Sequence, residues 1–112
     1  MSTVNLCRKL VLEAPVEVPD GAVGFLSSWS PLGILWADVR ASSGTEAEGG
    51  QTTLSRLSYR IMVRATPFGA SSRPKPDQRF REGNRIFRIT AVAEYGTDGL
   101  YLTCFADEEV VA

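Results

Sequence analysis

The stretch Leu57-Ser-Tyr-Arg-Ile-Met-Val-Arg-Ala65 constrains the fold more than any other part of the chain. Apolar side chains stand at Leu57, Tyr59, Ile61, Val63 and Ala65, and polar or flexible ones at Ser58, Arg60, Met62 and Arg64. A strand turns successive side chains to opposite faces, so this alternation predicts a half-buried strand with a basic outer face. The segment ahead of it, Ala41 to Ser55, carries three glycines and almost no large apolar residue. Connections of that length are uncommon inside compact domains and usually serve a function or stay disordered. The pair of features points to a small β-protein whose working part is the loop.

The remaining segments extend the β reading. Arg8 to Ala14 reads as a first strand, and Pro15 to Gly24 as a turn-rich connection in which Pro19-Asp20-Gly21 has the chemistry of a tight reversal. Phe25 to Ser30 alternates, Pro31 and Gly33 interrupt it, and Ile34 to Arg40 continues the same bent sheet past a bulge. After the Pro/Gly/Ser-rich Thr66 to Asp77, a short strand over Gln78 to Arg81 turns at Glu82-Gly83-Asn84 into Arg85–Tyr95, where Phe87, Ile89, Ala91 and Ala93 share a face. Gly96-Thr-Asp-Gly99 then leads to a last strand, Leu100 to Ala106. The expected fold is all-β: a single-domain barrel or sandwich over residues 1–112, with six or seven short strands and a loop at about 41–56.

Composition narrows the chemistry. A chain of 112 residues can build one core without staples. No run approaches the roughly 20 apolar residues of a membrane span, and the N-terminus lacks a signal-peptide core, so the expectation is a soluble, cytoplasmically folded protein with no membrane partner. Cys7 and Cys104 lie near opposite ends; Cys104 shares a face with Leu100, Leu102 and Ala106 and reads as a buried thiol. The chain has no histidine, which removes the commonest general base and the commonest metal ligand. It also lacks a Cys-x-x-Cys pair, a phosphate-cradling glycine loop and a nucleophile elbow. The carboxylate pairs Glu46/Glu48 and Glu108/Glu109 fall in a loop and near the C-terminus, away from the buried setting that acid–base catalysis needs. The reading is a protein without catalytic, cofactor or metal sites.

Net charge is −1, but its distribution is uneven. Nine basic residues lie between Arg56 and Arg88 against Asp77 and Glu82, while the chain after Arg88 is acidic. Such patches suit head-to-tail contacts between copies, and equally suit a merely solvated sheet. A nucleic-acid-binding barrel would interleave aromatics with basic residues on one exposed face. Here Tyr59 opposes Arg60 and Arg64, and Phe87 and Tyr95 oppose Arg88 along their strands, so the aromatics read as core.

The order of blocks resembles a known family. Arg8-Lys-Leu-Val-Leu-Glu13, Gly24-Phe25 with Trp29, Leu35-Trp-Ala-Asp-Val-Arg40, a polar loop, Tyr59-Arg-Ile-Met-Val-Arg64, Gln78-Arg-Phe-Arg-Glu-Gly83 and Arg85-Ile-Phe-Arg-Ile-Thr-Ala-Val92 together span about residues 8 to 106. The set is similar to the head–tail joining (head-closure or stopper) proteins of long-tailed bacteriophages, in the versions of alphaproteobacterial prophages and gene transfer agents.

That resemblance implies a small β-barrel, assembled in the bacterial cytoplasm as a ring in the neck of a phage-like particle. The ring would have six copies, with twelve as the alternative. Its partners would be a portal–adaptor complex on one side and a tail terminator on the other, with double-stranded DNA passing through without sequence-specific binding. The channel loop maps to Ser42–Ser55, and its candidate residues are Ser42, Ser43, Gly44, Thr45, Glu46, Ala47, Glu48, Gly49, Gly50, Gln51, Thr52 and Thr53. Glu46 and Glu48 would turn negative charge towards DNA, favouring sliding over sticking. Trp36, Arg40, Arg56, Arg60, Arg64 and Arg88 are the candidate subunit-interface residues. A tail terminator, a tail-tube subunit and a nucleic-acid-binding barrel remain as alternatives.

Overall fold

Six antiparallel strands close into a barrel in the computed structural model, which describes residues 4–19, 25–42, 57–67, 69–96 and 99–109. They are β1 (Arg8–Pro19), β2 (Phe25–Ala41), β3 (Leu57–Arg64), β4 (Arg79–Glu82), β5 (Arg85–Tyr95) and β6 (Tyr101–Glu109), in the spatial order β1-β2-β3-β6-β5-β4. Closure removes the free edges of the barrel wall. The alternation in the sequence explains what fills it. Leu10, Leu12, Ala37, Ile61, Val63, Phe80, Phe87, Ile89, Leu102, Cys104 and Ala106 all point inward and are essentially inaccessible to water. Tyr59 meets Phe87 edge to face inside, with centroids 5.1 Å apart.

Two β-bulges shape the wall. The first lies where β1 and β2 change register between Leu12 and Glu13: Leu12 pairs with Gly33, Glu13 with Pro31, and Leu32 is the extra residue. The expected second and third strands are therefore one bent strand of 17 residues. The second bulge lies between Ile89 and Ala91, opposite Ala106 and Phe105, and leaves Thr90 unpaired. An extra residue reverses the facing of everything after it. Ala91 and Ala93 are exposed in consequence, Val92 packs against the core, and the expected face Phe87-Ile89-Ala91-Ala93 ends at Ile89. The β4–β5 hairpin turns on two residues, Gly83 and Asn84, with Gly83 at φ +61°, the first-position glycine that a type II′ turn favours.

The largest departure from expectation is the turn-rich Pro15–Gly24. β1 continues to Pro19 and pairs with β2 as far as Pro19↔Phe25. β4 joins β1 only at Val11, Leu12 and Glu13, and β3 joins β2 only from Ala37 onward. From Ala14 to Pro19 and from Phe25 to Ser30 the two strands therefore form a two-stranded ribbon beyond the barrel wall. Prolines at 15, 19 and 31 mark its length, and proline is tolerated in strands at unpaired edges and bulges. The proposed tight reversal at Pro19-Asp20-Gly21 extends into residues 20–24, outside the described residues.

Candidate functional site

The strand ends define the two mouths of the barrel. At one mouth meet the start of β1, the ends of β2, β4 and β6, and the starts of β3 and β5. Here the inward positions of β1, β4, β5 and β6 carry charge instead of apolar side chains. Arg8 donates to both oxygens of Glu82, with Nε at 3.0 Å. Arg85 donates to Glu108 at 2.8 Å, and the Tyr59 hydroxyl donates to Glu108 at 3.1 Å. The Arg85 guanidinium also lies 4.9 Å from the Phe87 ring centroid. The hydrogen bonds from Arg8 hold the Glu82 carboxyl below its ordinary range, and those from Arg85 do the same for Glu108. Burial, reinforced by Glu108, pushes the Tyr59 phenol up. Glu108 is therefore half-buried and held charged, which suits an ion pair and opposes any role as a general acid.

The polar loop leaves from this same mouth. β2 and β3 pair at Ala41↔Tyr59, and beyond that pair both the amide and the hydroxyl of Ser42 donate to the Ser58 carbonyl at 2.9 Å. Of the candidate loop residues, Ser42 thus fixes the point of departure; Ser43 to Thr53, together with Arg56, lie outside the described residues.

Four of the candidate interface residues come together on the outer face of β2 and β3. Asp38 pairs with Met62 and Arg40 with Arg60, and the same alternation carries Trp36 and Arg64 to that side. The neighbouring strands β6 and β5 add Tyr101, Phe105 and Tyr95 to the face, through the pairs Arg64↔Tyr101, Arg60↔Phe105 and Tyr95↔Tyr101. Trp36 is 54% exposed, and Tyr95 and Phe105 are each 37% exposed. The guanidinium of Arg60 stands 6.0 Å from the Phe105 centroid and that of Arg64 5.8 Å from Tyr101. Aromatics and arginines are therefore interleaved outside the barrel; of the aromatics expected in the core, Tyr59 and Phe87 lie there and Tyr95 does not. The Thr90 bulge is the reason for Tyr95, which it returns to the face of Arg88. Trp36, Tyr101 and Phe105 follow from the alternation of β2 and β6, a signal present in the sequence. Arg88, also outward, sits apart between Arg79 and Asp107.

Between the two rows of this face lies a buried patch of Asp38, Met62 and Thr103. Asp38 accepts from Arg40 at 2.8 and 3.0 Å and from the backbone amide of Asn5 at 2.8 Å, so the N-terminal segment is tied to the sheet here. The hydrogen bonds from Arg40 hold the Asp38 carboxyl below its ordinary range.

A third cluster, absent from the sequence reading, roots the ribbon. Glu13, 4% exposed, accepts from Arg79 at 2.7 Å and from Arg81 at 2.8 Å, and the Arg79 guanidinium stacks 4.0 Å from the Trp29 ring centroid. Burial alone would raise the Glu13 carboxyl, but the two arginines outweigh it and hold the group low. Much of the basic run is thus committed to internal pairs. Among the described residues, no cluster of three or more His, Cys, Asp or Glu side chains could hold a metal ion.

Known proteins match this arrangement. The family model for phage head completion proteins matches residues 1–109. The chain belongs to the phage head completion protein family. Membership makes it a structural particle component and not an enzyme. A chain of the virion of a native gene transfer agent particle is 54% identical, with a TM-score of 0.79 and 100% of both chains covered. Protein SF1141 from Shigella flexneri 2a is 19% identical over 96% of each chain with a TM-score of 0.67, a likeness of fold. Among curated proteins none matches significantly.

Proposed function

We propose that this head completion protein is the head–tail connector of a phage or gene transfer agent particle. In this reading it forms a ring, of six copies rather than twelve, between the portal–adaptor complex and the tail terminator, around the DNA exit channel. The observation that carries the proposal is the 54% identity, over the full length of both chains, to a component of a gene transfer agent virion. The segment 42–55 is the element that reaches towards the channel, and its departure from the charge-braced mouth supports that assignment. The hydrogen bonds from Ser42 to the Ser58 carbonyl hold the base of the loop. Trp36, Arg40, Arg60 and Arg64 form the heart of the subunit contact. Their shared exposed face supports this, since aromatics and arginine are the side chains most enriched where protein surfaces meet.

Deleting the gene tests the proposal. Electron micrographs of the mutant lysate are expected to contain separate heads and complete free tails, and complementation is expected to restore joined particles. Joined particles in the mutant would refute the connector role.

A further inference from the structure

The β1–β2 ribbon is an element without a fold of its own to rest on. Two strands alone are marginal in water, and this pair stands beyond the barrel wall with both backbone edges unpaired among the described residues. Its root is nonetheless braced, by Glu13 between two arginines and by Arg79 on Trp29. A rigid root under an exposed ribbon is the build of an arm that docks elsewhere. Its chemistry says on what. Along 14–19 and 25–30 the ribbon holds one acidic residue, Glu17, and no basic one, among many apolar residues. Val16 and Glu17 are exposed.

The outer face of β2, β3, β6 and β5 is the complement, with Arg60 and Arg64 interleaved with Trp36, Tyr101 and Phe105. Neither Arg60 nor Arg64 makes an ion pair among the described residues. Each instead lies near an aromatic ring, Arg60 at 6.0 Å from the Phe105 centroid and Arg64 at 5.8 Å from Tyr101, and each guanidinium can still accept a carboxylate as its partner.

We infer that the β1–β2 ribbon of one copy seats on the aromatic–arginine face of the next. This rests on the ring reading above. Ribbon and face are different surfaces of one chain, so the contact is head-to-tail, the kind that closes into a ring when the rotation per copy allows it.

A photo-cross-linking amino acid at position 16, in otherwise intact particles, tests this directly. Mass spectrometry is expected to join it to a second copy within residues 60–64 or 101–105, and the Arg60→Glu/Arg64→Glu pair is expected to abolish that product. Folding of each variant is checked by circular dichroism, and glutaraldehyde treatment of the same particles reads ring formation separately. A multi-copy ladder with position 16 joined to another face, another protein or DNA, or giving no product, overturns the docking while sparing the ring. Absence of any multi-copy ladder overturns both.

Discussion

Glu13, Asp38, Glu82 and Glu108 each accept hydrogen bonds from arginine, and each is held below its ordinary value of 4.5, or 3.8 for Asp38. A carboxylate with a depressed folded-state pKa favours the fold above its unfolded pKa, and that contribution is lost as the pH falls through the folded value. Melting temperature is therefore expected to be flat with respect to these four groups from neutrality to about pH 5 and to fall steeply below about pH 4. A melting temperature unchanged from pH 7 to about pH 3 would contradict the pairing. Glu13→Gln removes the charge from the ribbon root and is expected to cost about 1–3 kcal/mol in denaturant unfolding. The thiols give a separate check. Cys104 is buried, and burial pushes it up to about 12, whereas Cys7 is exposed. A thiol reagent is expected to titrate one group per folded chain, Cys7, and two in denaturant.

At the scale of the elements, the bulge at Thr90 decides which side chains β5 shows. Deleting Thr90 would restore strict alternation, turn Ala91 and Ala93 inward in place of Val92, and carry Tyr95 off the outer face. The variant is expected to lose stability by roughly the cost of a core truncation, about 1–3 kcal/mol, measured by denaturant unfolding. Phe87→Ala, with no bulge to shift, is expected to cost about 3–5 kcal/mol. The same bulge marks the limit of what the residues disclose. Leu57–Ala65, with its inward Tyr59, Ile61 and Val63, was legible because these residues keep a period of two, although Met62 is buried on the outer face and Leu57 is exposed. Ala91 and Ala93 were not, because small apolar residues fit either face and one unpaired residue reverses them. Pro15 and Pro19 misled for a related reason: their turn chemistry is also the chemistry of a strand whose edge has no partner. The Glu13–Arg79–Arg81 cluster joins residues more than 60 positions apart, and only barrel closure brings them together. Trp36, Arg40, Arg60 and Arg64 share one surface because β2 and β3 pair, which the alternation within each strand did not disclose.

At the scale of the whole molecule, the point where the chain leaves β2 after Ser42 and the β1–β2 ribbon lie at opposite ends of the barrel. The segment from Ser42 leaves beside the Arg8–Glu82 and Arg85–Glu108 pairs, and the β1–β2 ribbon leaves from the far mouth. The aromatic–arginine face lies on the wall between them. In a ring this division would leave one end for the channel and the other for neighbours, with the wall as the seat of contact. A reconstruction of the neck of purified particles by electron cryomicroscopy tests the central claim most directly. The account predicts that the six-stranded barrel fits a closed ring of density between portal and tail, encircling the DNA path. Density for this chain elsewhere in the particle, or none in the neck, would contradict it.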